Sequence, residues 1–333
     1  MRFCFFDINP DINVGSYRIW VHDLSESLNK IGHESRILSS MPSGLPEEEV
    51  LIFGKSSWDS AMWWKKKFPQ KKVGAINVPA DSKTNNLDFF IVGSHEERLS
   101  LSQHNNVFLY PLIEKKFMNL KRKVHKNSEI LKVCFHGHYP HLFKFFPHLS
   151  RALERINSEV TPVELHVITG HPKKVQEWNK STGRPNIRVF SHEYEKVSEV
   201  ISKCDIGLIP NISDVNASAP KYRQNVVNSD LGLYNTDYVI RFKNKTNPGR
   251  AFVFYQHGVP VVHDISPSSF EMMALTGEYI VAHEEESWFK EIKSLALSCE
   301  KRQNISDKFK ECFEKNYDPE EWAKKLVNQI RGT

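Results

Sequence analysis

Two basic residues flank a helix start in the segment KTNPGRAFVFYQHGVPVV, residues 245–262. Asn247 is a residue type that caps helix N-termini, and Pro248 suits the first helical position. The free N–H groups and the positive dipole end of such a helix attract anions, and Lys245 and Arg250 add two full charges. The segment therefore predicts a phosphate or diphosphate site at Lys245, Asn247 and Arg250. The alternative is that both cations are solvated neighbours of the cap.

A second helix start is expected after the next strand, VPVVHD, at the sequence ISPSS. Ser268 or Ser269 is predicted to cap the helix FEMMAL, and their hydroxyl and N–H groups would lie at the carboxyl edge of the sheet. Both serines are therefore assigned to the same anion site.

The segment DINPDINVGSYR, residues 7–18, links the first predicted strand to the first predicted helix. Gly15 and Arg18 in this segment are candidates for contact with an acceptor or a phosphate. The rest of a GxGxxG pattern is missing after Gly15, so a dinucleotide site is not supported. A plain turn explains the glycine equally well.

Three side chains are candidates for proton transfer in the first part of the chain. Asp11 lies in the loop after the first strand, and His95 and Glu96 follow a later strand. A general base must be a carboxylate or an imidazole within hydrogen-bond reach of the hydroxyl that it deprotonates. Asp11 and His95 are the predicted catalytic residues.

The histidine-rich sequence HGHYPH, residues 136–141, is the segment most similar to a metal site. Zinc sites combine histidines with further His, Cys or carboxylate ligands at characteristic spacing, and none is evident around this segment. The chain also lacks an Asp-x-Asp pair, the feature by which many transferases hold a divalent cation. No metal cofactor is expected.

Apolar runs and amphipathic stretches alternate along the chain, which favours parallel sheets built from β-α-β units. The pattern predicts a first lobe at residues 1–113, a polar and basic linker at 114–130, and a second lobe at 131–316. A final amphipathic helix at 317–333 is expected to pack back on the first lobe.

The composition is that of a globular protein, with 333 residues, 40% hydrophobic residues and a net charge of +5. No apolar run of membrane-spanning length and no charged-then-apolar leader is evident, and the five cysteines form no CxxC pair, so a cytoplasmic protein is expected. Trp58, Trp63 and Trp64 lie beside the basic run KKKFPQKK. They either belong to the core, the commoner outcome, or form a peripheral contact with anionic membrane. Nucleic acid is not an expected partner.

The order of these elements resembles that of the GT-B glycosyltransferases, closest to the large family of retaining nucleotide-sugar enzymes called family 4. The resemblance rests on the opening strand and loop with LNKIGHE, the strand DIGLIPN with the long loop after it, and the helix followed by GVPVV. FFIVGSHEER is similar to the family's end-of-strand serine followed by a helix. Family members carry two glutamates, separated by seven residues, before the GxPVV sequence. Here Lys245 and Val253 stand at those positions.

The resemblance implies an α/β fold of two Rossmann-like lobes with a cleft between them and a C-terminal crossing helix. It implies a metal-independent enzyme that moves a sugar from a nucleotide-activated donor to a glycan, lipid-linked or other hydroxyl acceptor. Gly137 and His138 would then lie beside the nucleotide, and Lys245 and Arg250 would serve the diphosphate. Because both glutamates are missing, a non-catalytic binding or scaffold protein stays open, as does a GT-B nucleotide-sugar epimerase. The sequence leaves the donor, the acceptor and the oligomeric state undetermined.

Overall fold

The structure is a computed structural model that describes residues 1–40, 44, 46–78, 86–182, 186–211, 247–264 and 266–333. The chain forms two compact units. The first contains Met1–Leu120, Asn247–Val253 and Phe313–Thr333, and the second contains Lys121–Thr246 and Phe254–Cys312. The first unit therefore includes residues 247–253 and 313–316, which the sequence assigned to the second lobe. Each unit is described by itself below.

A six-stranded parallel sheet forms the centre of the first unit, in the order β2-β1-β3-β4-β5-β6. The strands are β1 Arg2–Phe6, β2 Glu34–Leu38, β3 Val50–Phe53, β4 Lys72–Ile76, β5 Phe89–Val92 and β6 Val107–Leu109. The inner strands VLIF and FFIV are buried along their whole length, as expected where both faces of a parallel sheet are covered. The strand order reverses between β1 and β3.

Apolar side chains of the first helical segment cover one face of this sheet. The segment comprises Gly15–Tyr17, a π-helical stretch Arg18–Asp23 and Leu24–Lys30. Its buried residues pack with β1, β3 and β5 in one core cluster. Trp20 in this cluster donates from Nε1 to the Tyr110 carbonyl at 3.1 Å, so its buried indole N–H has a partner.

The C-terminal helix Pro319–Arg331 belongs to the same core. Asp318 caps it by accepting the Glu321 N–H at 2.9 Å, and the buried face packs against the helix Leu24–Lys30. Trp322 is partly buried against this cluster and donates to the Asn316 carbonyl at 2.9 Å. The buried residues of the helix are Pro319, Ala323, Leu326, Val327 and Ile330.

The tryptophans beside the basic run have different environments. Trp64 is buried in a second core cluster and Trp58 is partly buried against it. Trp63 is 55% exposed, and Lys67 Nζ lies 4.5 Å from its ring centroid. No helix in the described ranges is long and apolar enough to cross a membrane.

The second unit contains another six-stranded parallel sheet, in the order β12-β11-β10-β7-β8-β9. Its strand order reverses between β7 and β10. The strands are β7 Leu131–His136, β8 Val163–Thr169, β9 Ile187–Ser191, β10 Ile206–Ile209, β11 Val261–Asp264 and β12 Val281–Ala282. The two parallel sheets with flanking helices confirm the predicted fold class of two Rossmann-like α/β units.

Helices follow most of these strands, as β-α-β units require. Gly207 in β10 lets a helix approach the sheet closely, because an added Cβ would lie 2.7 Å from the Phe254 ring. The remaining described α-helices are Trp58–Lys67, His95–Ser100, Pro140–Glu159, Pro172–Thr182, Tyr194–Ile201, Gly249–Gln256, Pro267–Thr276, Glu285–Ala296 and Cys299–Asn316.

The predicted linker is more closely integrated than its polar sequence indicates. Glu114 and Phe117 are buried within the first unit. His125 is buried in the second, and its Nε2 lies 2.9 Å from the Gly258 carbonyl oxygen. The change of unit falls at Leu120, inside the stretch that the sequence assigned to the linker.

Candidate active site

A buried carboxylate stands at the end of β1 in the first unit, beside the point where the strand order reverses. Asp7 follows β1, is 3% exposed, and accepts the Asn9 N–H at 3.0 Å through Oδ1. Gly54, directly after β3, leaves space for the carboxylate, because an added Cβ would lie 2.2 Å from Asp7 Oδ2. Ser57 fixes the same turn by accepting the Ile8 N–H at 3.0 Å.

Burial gives this carboxylate an unusual proton affinity. It raises the pKa of Asp7, and the hydrogen bond from Asn9 only partly opposes the effect. Burial also raises the pKa of Tyr17, and the Asp7 charge adds to that effect. A carboxylate with a raised pKa is suited to accept a proton from a hydroxyl. Ligands of open parallel sheets bind where the strand order reverses, so the position is suitable as well.

A second buried carboxylate lies at the end of β5. Ser94 caps the helix His95–Ser100 by accepting the Glu97 N–H at 3.1 Å. Glu97 Oε2 in turn accepts the Gly93 N–H at 2.7 Å. Burial raises the pKa of Glu97 to about 7, further raised by Glu96, while the Gly93 bond and the Lys55 charge oppose this. Ser94 and Glu97 have the spacing of a capping box, so the sequence held a signal for this pair.

Glu97 should make folding stability depend on pH. A folded pKa of about 7 against an ordinary 4.5 means that the folded state alone holds a proton between these values. The free energy of unfolding should therefore fall as pH rises from 4.5 through 7, by at most about 3 kcal/mol. Glu97→Gln keeps an acceptor for Gly93 and should flatten this dependence. Urea denaturation at pH 5, 6, 7 and 8 measures it, and equal pH slopes for both proteins would contradict the assignment.

The predicted residues of the first unit do not all come together. Asp11 is exposed, and its Oδ1 accepts the Asn13 N–H at 2.9 Å, which is a local turn contact. Gly15 begins the first helix, and an added Cβ would meet only ordinary contact at 3.7 Å, so neither space nor backbone requires a glycine there. His95 begins the helix after β5 and lines a shallow cavity of about 370 Å³ with Arg98 and His104.

Arg18 has a different role from the one predicted. Its guanidinium is buried against Glu114, with Nε–Oε2 at 2.8 Å and Nη2–Oε1 at 2.5 Å. A third hydrogen bond, from Nη1, reaches the Ile12 carbonyl at 2.5 Å. This geometry neutralises Glu114 and holds the loop after β1. The predicted contact with a phosphate or acceptor is corrected to a structural ion pair.

The carboxyl edge of the second unit also has a defined geometry where its strand order reverses. β7 ends at His136, and Gly137 follows with φ 128°, a conformation that residues with a Cβ rarely adopt. β10 ends before Pro210, and the Asn211 N–H donates to Asp264 Oδ2 at 3.3 Å. Asp264 Oδ1 also lies 2.9 Å from His283 Nδ1. Asp264 is fully buried and joins the ends of β10, β11 and β12.

Aromatic rings surround the predicted residue His138. Its ring centroid lies 5.3 Å from that of Tyr139 and 5.9 Å from that of His171. Lys174 Nζ lies 5.5 Å from the centroid of the Tyr139 ring. Burial lowers the pKa of His138, and the charges of His171 and Lys174 lower it further. The ends of β7 and β8 thus carry flat rings and a cation, groups that bind a planar ring or an anion.

The helix after the long loop begins at Gly249, one residue after the predicted first helical position at Pro248. Asn247 Oδ1 accepts the Gly249 N–H at 3.3 Å, and Phe252 N–H donates to the Pro248 carbonyl at 3.0 Å. Arg250 is half-buried in the first turn. Lys245 lies outside the described residues, so its predicted contact with a diphosphate stays a prediction.

The second predicted helix start is shifted. The helix is Pro267–Thr276 with Ser266, rather than Ser268 or Ser269, at the N-cap. Proline at the first helical position explains the earlier start. Ser268 and Ser269 are buried in the first turn, and the Ser269 hydroxyl lies 2.6 Å from that of Ser266. The two predicted hydroxyls therefore face the protein, and the start of this helix is formed by Ser266.

No protein-family model matches the chain, and no curated protein matches it in sequence. Solved structures do match. TarM of S. aureus, solved with UDP and α-GlcNAc-glycerol, has a TM-score of 0.54 at 12% identity over 84% of this chain. This chain spans 55% of TarM and 56% of the pneumococcal O-GlcNAc transferase GtfA, about half the length of either.

Two further structures match from end to end. WaaG, a glycosyltransferase involved in lipopolysaccharide biosynthesis, has a TM-score of 0.58 at 13% identity, covering 99% of this chain and 100% of WaaG. Anabaena HepE, in complex with UDP and glucose, has a TM-score of 0.61 at 9% identity, covering 100% of both chains. Together with the two parallel sheets, these similarities show that the chain has the GT-B glycosyltransferase fold.

Proposed function

We propose that the chain is a glycosyltransferase that moves a sugar from a nucleotide-activated donor to a hydroxyl acceptor. The observation that carries the proposal is the end-to-end similarity to GT-B structures, one of them bound to UDP and glucose. The fold alone does not determine which reaction is catalysed, so the proposal also depends on the residues at the carboxyl edges of the two sheets.

The second unit is the proposed donor site. Its Gly137 lets the backbone pass close to a ligand after β7, and His138 with its neighbouring rings offers stacking surfaces. Asn247 and Arg250 belong to the first unit by their contacts, and Lys245 is not described. A phosphate contact at Lys245, Asn247 and Arg250 stays a separate prediction, on the physical ground that a helix start with two cations favours an anion.

The first unit is the proposed acceptor site, with Asp7 rather than Asp11 as the proton acceptor. The carboxylate of Asp7 is buried at the reversal of strand order, whereas Asp11 is exposed in a turn. If the reaction inverts the sugar, Asp7 would take the acceptor's hydroxyl proton while the donor's diphosphate leaves. The acceptor class, glycan or lipid-linked, and the absence of a metal requirement stay predictions.

Gly137→Ala should impair use of the donor. An added Cβ disfavours φ 128°, at a cost of about 1–3 kcal/mol, so the loop after β7 should shift. We expect kcat/KM for release of nucleoside diphosphate from UDP-, GDP-, ADP- or dTDP-sugars to fall at least about tenfold. Gly170→Ala is the matched control, because it follows β8 with nothing within 4 Å of an added Cβ. Equal rates for both variants would contradict the donor site.

A non-catalytic binding protein of the same fold is the second candidate. The observation that favours it is the replacement of the paired family glutamates by Lys245 and Val253. Val253 is buried and cannot replace a glutamate that contacts a ribose. Binding of a nucleoside diphosphate without any sugar release, across a panel of donors and acceptors, would support this candidate over the enzyme.

A further inference from the structure

Three side chains of the second unit contact one another in sequence, away from the carboxyl edge that holds the proposed donor site. They are those of Cys204, His166 and Glu164. Cys204 Sγ lies 3.4 Å from His166 Nδ1, and His166 Nε2 lies 2.5 Å from Glu164 Oε1. The other oxygen of Glu164, Oε2, pairs with Arg188 Nε at 2.6 Å. Cys204 and His166 are buried, so the geometry is fixed by packing.

Strand register explains how these residues meet. His166 in β8 pairs with Cys134 in β7 on one side and with Arg188 in β9 on the other. Cys204 precedes β10, the strand that pairs with β7. Cys134 is the register partner of His166 and lies close enough to Cys204 to affect its pKa, which places two cysteines beside one histidine.

The surrounding charges favour a thiolate at Cys204. Cys134, His166 and Lys123 together lower the pKa of Cys204, against the opposing effect of burial. Burial alone would lower the pKa of His166, but Cys204 and Glu164 raise it. A histidine at 3.4 Å from the sulfur favours the thiolate form of Cys204, an arrangement that activates cysteines.

Charged groups and a backbone carbonyl also lie close to Cys204. Lys123 Nζ donates to the Cys204 carbonyl at 2.6 Å, and Asp205, Arg302 and Lys132 are charged groups close to Lys123. The Val200 carbonyl oxygen lies 3.2 Å from Sγ and would accept a hydrogen bond from a protonated thiol. A measurement of reactivity against pH therefore decides between thiolate and thiol.

A cavity of about 630 Å³ adjoins this group on the side of His166 and Val200. Glu164, His166 and Val200 line it, and the last two are the direct neighbours of the sulfur. Lys132, Arg188, Lys196 and Lys203 also line the cavity, so it has a basic wall. The sulfur itself is covered, which restricts access to small reagents.

We propose that Cys204 is a modification site, a nucleophilic thiolate that reacts with small hydroperoxides. The thiolate sulfur attacks the oxygen that carries hydrogen, the O–O bond breaks, and an S–OH bond forms. The cysteine is oxidised by two electrons to a sulfenic acid, and the peroxide is reduced to an alcohol, or to water when it is hydrogen peroxide. His166 as imidazolium gives the proton to the departing oxygen, and Glu164 holds the ring in position.

The test uses the full chain in its native state. Hydrogen peroxide is added between pH 5 and 9, dimedone traps the sulfenic acid, and peptide mass spectrometry reads each cysteine. We expect trapping at Cys204 to rise with a midpoint below the pKa of an ordinary thiol. Cys4 is an internal control, because burial, aided by the charge of Glu48, raises its pKa to about 12. Trapping absent at Cys204, or rising only above pH 8, would overturn the proposal.

Two variants separate a thiolate pair from simple accessibility. His166→Gln should move the midpoint for Cys204 upward by at least one pH unit, about a fivefold loss of thiolate at the pH of the wild-type midpoint. Glu164→Gln should move it in the same direction by less. Far-ultraviolet circular dichroism checks that each variant is folded. An unchanged midpoint in folded His166→Gln would overturn the role of the histidine, and the wild-type profile decides the site where a variant fails to fold.

Discussion

Asp7→Asn is expected to lower the turnover of sugar transfer by about 100-fold or more while leaving the protein folded. Asparagine keeps an acceptor for the Asn9 N–H and fills the space beside Gly54, but it cannot take a proton from the acceptor hydroxyl. Donor affinity should change little. A lost interaction that acts only in the transition state lowers kcat and kcat/KM equally, so steady-state kinetics against donor concentration measure the effect.

The matched control for this variant is Asp11→Asn, which removes the carboxylate that the sequence made the first choice. Its side chain is exposed and contacts its own turn, so turnover should stay close to that of the wild type. Normal turnover in Asp7→Asn together with a large loss in Asp11→Asn would reverse the assignment. Gly54→Ala is a third variant for the same kinetic measurement, since its Cβ would displace the Asp7 carboxylate without changing it chemically.

Arg18→Met is expected to lower the free energy of unfolding by about 3–5 kcal/mol. The pair of Arg18 and Glu114 has side chains only 3% and 8% exposed, and the substitution leaves the carboxylate buried without its cation. Burial already raises the pKa of Glu114, and the hydrogen bond to Arg18 opposes that rise. Urea denaturation at pH 7 measures the loss.

Arg2→Met is the control for this prediction, because Arg2 pairs with Glu47 in the same unit at 3.5 Å with side chains 45% and 85% exposed. Exposed pairs contribute about 0–1 kcal/mol. Adding Glu114→Leu to Arg18→Met should restore part of the lost stability, since no buried charge remains. A loss no larger for Arg18→Met than for Arg2→Met would contradict the structural role.

The sheets could be predicted from sequence because their signals are local. Runs such as VLIF and FFIV contain their own evidence for buried strands. Helix starts also have local signals. The proline at 267 indicates a start at the first helical position after Ser266, which the prediction at Ser268 and Ser269 missed. Glu97 follows Ser94 at a recognisable spacing, although its burial is a product of tertiary packing.

The roles of Asp7, Arg18 and Cys204 depend on partners that are distant in sequence. The Asp7 carboxylate needs the space at Gly54, Arg18 needs Glu114, and Cys204 needs His166 on a different strand. No local pattern connects the members of these pairs. An arginine in a polar loop is equally consistent with a phosphate contact and with a buried ion pair, and the tertiary packing that brings Arg18 to Glu114 decides between them.

Titration calorimetry shows directly whether the chain binds the nucleotide of an activated sugar. The purified chain would be titrated with UDP, GDP, ADP, dTDP and CMP, each with magnesium and with a chelator. We expect saturable binding of one of these nucleotides, with an affinity that is the same in both conditions and weaker in Gly137→Ala. Absence of binding by all five would contradict it.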